Sequence, residues 1–160
     1  MITKYSFSSL FICFALLFTI GCSEEDDSVF VDPDLAPFFE SFQAEANARG
    51  LDLSLSNLEI EGMFGNFDGS SRTLGQCRSG GGERSAIIID RQLWTPLAPV
   101  EQELVMFHEL GHCALGRGHR DDVTEDGVCV SIMHSTFDGC INTFGSGTRA
   151  EFLDELFLNR

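Results

Sequence analysis

Positive charge is scarce in this chain. Of 160 residues, ten are Lys or Arg against 25 Asp or Glu, a formal charge of −15. Lys4 is the only lysine and Tyr5 the only tyrosine. Without the first 21 residues, nine arginines face 25 acids, which makes −16. Nucleic-acid affinity rests on cations that displace phosphate counterions, so no nucleic acid is expected as a partner. The same balance excludes electrostatic docking on anionic lipid, and it suits a soluble domain held away from a membrane. No apolar run reaches the roughly 20 residues of a bilayer-spanning helix. None of the six cysteines forms a C-x-x-C pair, a common zinc-thiolate spacing. The length suggests one domain.

The first residues, "MITKYSFSSLFICFALLFTIGC", stand apart from the rest. Lys4 and the amino terminus make a short positive region, and an apolar run follows from Leu10 to Ile20. This is the pattern of a secretory signal peptide, expected over residues 1–21. A buried core helix is the plainer alternative; the position at the extreme start and the acidic "SEEDD" just after it count against that. "LFTIGC" resembles a bacterial lipobox, with Thr19 where Leu is usual. The resemblance implies lipidation at Cys22. "SEEDD" resembles the acidic tag that sends some Gram-negative lipoproteins to the surface. The implied location is the bacterial outer membrane or cell surface, reached by export and a lipid anchor. Residues 22–32 then read as an acidic tether and 33–160 as the folded domain.

Leu35, Phe38, Phe39, Phe42 and Ala46 recur at helical spacing between Pro33 and Gly50, which predicts a helix over about 34–49. Leu51, Leu53 and Leu55 alternate with polar residues, a strand pattern. Residues 62–84 are rich in turn formers, with one short strand expected near Thr73–Cys77. "SAIIID", 85–90, reads as a well-buried strand. The segment from Val100 to about Leu115 reads as a strong helix with Leu104, Val105, Phe107, His108, Leu110 and His112 on its buried side. "TRAEFLDELFLNR" reads as a C-terminal helix with Phe152, Leu153, Leu156 and Phe157 inward. The fold class expected is α+β, with a small mixed sheet.

"HELGHCALGRGH", 108–119, carries the chemistry. His108 and His112 are four apart on a predicted helix, so they project from one face, one turn from each other. Two imidazoles so placed can bind one zinc at about 2.1 Å. Glu109, beside the first ligand, can take a proton from metal-activated water. A catalytic zinc needs a third protein ligand and an open position. His119 is the candidate. On a continued helix it would lie about 10 Å further along the axis than His112, so the helix must stop and turn back. Gly116 and Gly118 can adopt the positive-φ conformations such a turn uses. His134 reads as a structural, hydrogen-bonded residue. "DDVTEDG", 121–127, lacks the oxygen-ligand pattern of a known calcium loop and reads as a solvated acidic loop.

With those residues in hand, the chain resembles the metzincin clan of zinc endopeptidases. Their motif is H-E-x-x-H-x-x-G-x-x-H, followed by a Met-turn. This sequence has one more residue between His112 and the glycine. "SIMH", 131–134, is similar to the astacin Met-turn, with Met133 as its methionine. Ser135 stands where astacins have Tyr, and Arg120 where astacins have Glu and matrixins Ser. The chain therefore looks like a separate branch of exported bacterial lipoproteins. The resemblance covers residues 85–136. It implies a zincin fold with an active-site helix and a C-terminal helix. It also implies one catalytic zinc held by His108, His112 and His119, and Glu109 as the catalytic carboxylate. "SAIIID" would be the strand beside which an extended peptide or protein substrate lies.

The expected activity is zinc-dependent cleavage of peptide bonds by a monomer. One alternative is a zinc-containing surface protein that binds without cleaving, which has no need of Glu109. Another is a metal-dependent hydrolase of a different substrate; acidity disfavours RNA. Cys77, Cys113, Cys129 and Cys140 remain in the exported domain, which implies two disulfides with three possible pairings. Cys77–Cys113 with Cys129–Cys140 is the favoured set, the first pinning a strand to the active-site helix and the second closing the loop around Met133.

Overall fold

The computed structural model describes residues 28–67, 72–137, 140–145 and 147–158. The expected signal peptide, Cys22 and the expected tether up to residue 27 lie outside the described residues. The elements are α1 (Ala36–Ala48), β1 (Glu61–Gly65), β2 (Gly75–Gly80), β3 (Glu83–Asp90), α2 (Arg91–Trp94), α3 (Pro99–Leu115) and α4 (Arg149–Leu158). The chain is α+β with a small mixed sheet of order β1-β3-β2. β1 runs parallel to β3 and β2 antiparallel. Phe30–Asp32, the end of the expected tether, are built into the fold: Gly62 donates to the Phe30 carbonyl, and Asp32 donates to that of Gly62.

Local chemistry starts α3 where it starts. Pro99 falls at its first turn, where a missing N–H costs nothing. Glu101 in that turn accepts the Ala98 N–H at 2.7 Å and faces the positive end of the helix dipole. From Leu104 to Gly111 eight consecutive residues are buried. The helix is therefore covered all round, not only along the stripe that the sequence suggested. β2 and β3 pack against it, as does α1, and Met133 and Leu156 close on Gly111.

The aromatic core holds the three long helices together. The Phe42 ring of α1 lies 5.1 Å from that of Phe107 on α3 and 4.9 Å from that of Phe157 on α4, both edge-on. Arg149 of α4 bonds Glu103 of α3 and Glu45 of α1, and Arg49 reaches Asp154 from the other side. Phe152, Leu153, Leu156 and Phe157 are buried as expected, as are Leu35, Phe39, Phe42 and Ala46.

One element is corrected. Leu51–Leu55 is not a strand. Its alternating amides are satisfied by α1 rather than by a partner strand: Leu51 donates to the Ala46 carbonyl, Leu53 to Asn47 Oδ1 and Leu55 to Gln43 Oε1. The strand lies further on, at β1, whose glycines at both Gly62 and Gly65 hid it. Among the described residues no helix is long and apolar enough to cross a membrane. Two disulfides close the structure, Cys77–Cys113 and Cys129–Cys140, with Cα–Cα distances of 5.6 and 5.1 Å. They fit an oxidising compartment.

Candidate metal centre

His108 and His112 leave α3 on one face, and His119 returns to them from the loop beyond. Three ligand nitrogens, one per histidine, lie within 4.8 Å of one another. His112 Nε2 is 3.1 Å from His108 Nε2 and 3.2 Å from His119 Nε2. Four-coordinate zinc with bonds near 2.05 Å separates its nitrogens by about 3.3 Å, so the spacing suits a metal ion.

The tautomers agree. His108 Nδ1 lies 2.7 Å from the Ile132 carbonyl oxygen, and His112 Nδ1 lies 2.6 Å from that of Arg117. A carbonyl only accepts, so in both rings Nδ1 carries the proton and Nε2 presents a lone pair. Two such lone pairs 3.1 Å apart repel each other, and a shared cation would resolve the repulsion. Burial pushes the His108 imidazole down to about 4 and lowers His112 as well, which keeps both rings neutral, the form that ligates. Burial falls from His108 (buried) through His112 to His119 (exposed), so the cluster opens to solvent on the side of His119.

The turn that returns His119 is an αL cap. Gly116 sits at φ +65°. Its N–H bonds the His112 carbonyl, and the Arg117 N–H bonds that of Gly111. The residue that lengthens the motif is absorbed by the helix, which runs on to Leu115. Gly118 is a correction: it does not have positive φ, so only one of the two glycines makes the turn.

Met133 is fully buried against α3. A Cβ added at Gly111, between the two helical ligands, would lie only 2.5 Å from the Met133 sulfur. Glycine at that position lets the turn at 131–133 press against α3. Phe137 covers the outer face of His108, with ring centroids 5.1 Å apart.

Glu109 points from α3 toward β2. Its carboxyl abuts Gly75, where a Cβ would meet Oε1 at 2.8 Å. Burial pushes the carboxyl up to about 7, against a lowering hydrogen bond from the Cys77 backbone. The Cys77–Cys113 disulfide ties this same strand to the ligand helix.

β3 is not the strand at the rim. It is paired on both sides, with β1 and with β2. No extended chain can add to it, and the strand with an unpaired outer edge beside α3, among the described residues, is β2. His134 stays out of the cluster; its Nδ1 lies 3.0 Å from the Thr136 carbonyl and 3.7 Å from Asp121. The acidic loop 121–127 is exposed.

Sequence reasoning missed the carbonyls of Arg117 and Ile132, which orient the ligand rings, and it missed Glu155 and Ser131. Carbonyl groups leave no trace in residue identity. Glu155 had one signal: it lies between the inward Phe152 and Leu156 on a short amphipathic helix. No known protein family, curated protein or solved structure matches this chain.

Proposed function

We propose that the chain is a zinc-dependent endopeptidase of the metzincin kind, exported and anchored through Cys22 to the bacterial outer membrane or cell surface. The observation that supports it most is the convergence of three imidazole nitrogens, two of which have their other nitrogen tied to a backbone carbonyl and stand on a helix that carries the buried carboxylate Glu109 next to the first of them. A zinc ion held by His108, His112 and His119 supplies Lewis acidity to a peptide carbonyl and to water.

The chain's own residues do the rest. Glu109 accepts the proton of the attacking water and returns it to the leaving amine, the two transfers a carboxylate beside the first ligand can make. A structural or purely binding histidine cluster has no use for such a group. Among the described residues β2 is an edge strand, and an extended substrate would add there as a further strand. Glu109 touches that strand at Gly75 and Cys77.

The experiment is cleavage of a random peptide library by the purified chain, read by mass spectrometry, after chelation and after zinc is restored. The expected result is cleavage that is lost with chelator and recovered with zinc. A zinc-loaded chain that cleaves no peptide would overturn the reading.

A further inference from the structure

Glu155 lies on α4, away from the histidines in sequence, and only 7% of it is exposed. A buried carboxylate is costly unless both oxygens are compensated. Here they are: Oε1 accepts Arg117 Nη2 at 2.6 Å and Arg120 Nη1 at 2.9 Å, and Oε2 accepts Ser131 Oγ at 2.6 Å. Ser131 Oγ in turn accepts the Met133 N–H at 3.0 Å.

Those partners frame all three ligands. The Arg117 carbonyl holds His112 Nδ1. The turn at 131–133 carries the Ile132 carbonyl that holds His108 Nδ1. Arg117 and Arg120 bracket His119, and the Arg120 N–H also bonds the Met133 carbonyl. One carboxylate therefore joins the loop that brings the third ligand to the turn that orients the first.

We infer that Glu155 is a positioning residue for the metal: it fixes the third-ligand loop and the methionine turn relative to each other, and so sets where the three Nε2 atoms meet. The inference rests on the metal reading above. Anchoring α4 does not require it, because Arg149 with Glu103 and Glu45, and Arg49 with Asp154, already fasten that helix to α3 and α1. Groups that orient ligand rings typically alter metal affinity 10–100-fold when lost.

The test compares the parent, Glu155→Gln and Glu103→Gln, each stripped and titrated with cobalt(II). The ligand-field spectrum, the cobalt Kd and the melting temperature of the metal-free protein are read together. Glu103→Gln should lower the melting temperature and keep the parent's Kd and spectrum. Glu155→Gln should weaken cobalt binding by roughly 10–100-fold and change the spectrum. A Kd and spectrum like the parent's in Glu155→Gln overturn the inference, whatever happens to stability. If Glu155→Gln does not fold, Ser131→Ala decides: weaker cobalt binding supports the inference, and parent-like binding overturns it. A parent that takes up no cobalt overturns the metal reading itself.

Discussion

The His112 imidazole donates from Nδ1 to the carbonyl oxygen of Arg117, 2.6 Å away and just past the end of α3. The ring thus holds the turn, and the turn holds the ring. Between them sits Gly116 at φ +65°, a conformation that side chains disfavour. Gly116→Ala should cost about 1–2 kcal/mol and weaken zinc binding with it. Gly118→Ala should stay within about 0.5 kcal/mol of the parent, since Gly118 has no positive φ and a Cβ there meets nothing within 4 Å. Thermal unfolding with a zinc titration checks both; equal effects at the two positions would mean that the turn is not the constraint.

The two disulfides differ in the loop that each closes, with sequence separations of 36 and 11. Loop-closure entropy assigns roughly 4 kcal/mol to the first and roughly 3 kcal/mol to the second. Cys77→Ser with Cys113→Ser should destabilise more than the Cys129–Cys140 pair, and it should loosen β2 from Glu109 as well. Peptide mapping without reductant should return these two pairs, and any other pairing contradicts the structure.

Acid should act on the α1–α3–α4 network through Glu45. Partial burial raises its pKa, but hydrogen bonds and charge from Arg149 and Arg49 outweigh that and hold it below 4.5. A depressed carboxylate contributes stability above its unfolded value, and this is lost as pH falls through the lower folded value. Glu45→Gln should be less stable than the parent by about 1 kcal/mol at neutral pH, and the gap should close well below 4.5. Melting curves across that range decide it; a gap that is constant with pH would remove the charge from the account.

Much of this was legible in the sequence. Helical periodicity located α1, α3 and α4, because an amphipathic helix repeats its apolar residues whatever it packs on. The histidine spacing and the need to turn back identified the three histidines that converge. What failed was sheet detail. Leu51, Leu53 and Leu55 alternate as a strand does, yet their amides bond to α1; alternation records which side is buried, not what supplies the hydrogen bonds. β1, "EGMFG", has too little apolar pattern to be read. The strand at the rim was misplaced because "SAIIID" is the most apolar run, and apolar runs mark the middle of a sheet rather than its edge. Glu155 shows in the sequence only as an acid between the inward Phe152 and Leu156, since only three-dimensional proximity unites it with Arg117, Arg120 and Ser131.

The measurement that bears most directly on the central claim is the cleavage rate of Glu109→Gln at a zinc content equal to that of the parent. Glutamine keeps the size of the side chain and can still accept the Cys77 backbone hydrogen bond, but it cannot take up a proton as a carboxylate does. The variant should bind one zinc, melt near the parent's temperature, and cleave library peptides at least roughly 10²–10⁴-fold more slowly. Normal zinc with near-normal cleavage would contradict the role of Glu109. A fully zinc-loaded parent that cleaves nothing would leave a zinc-bearing binding protein in place of a peptidase.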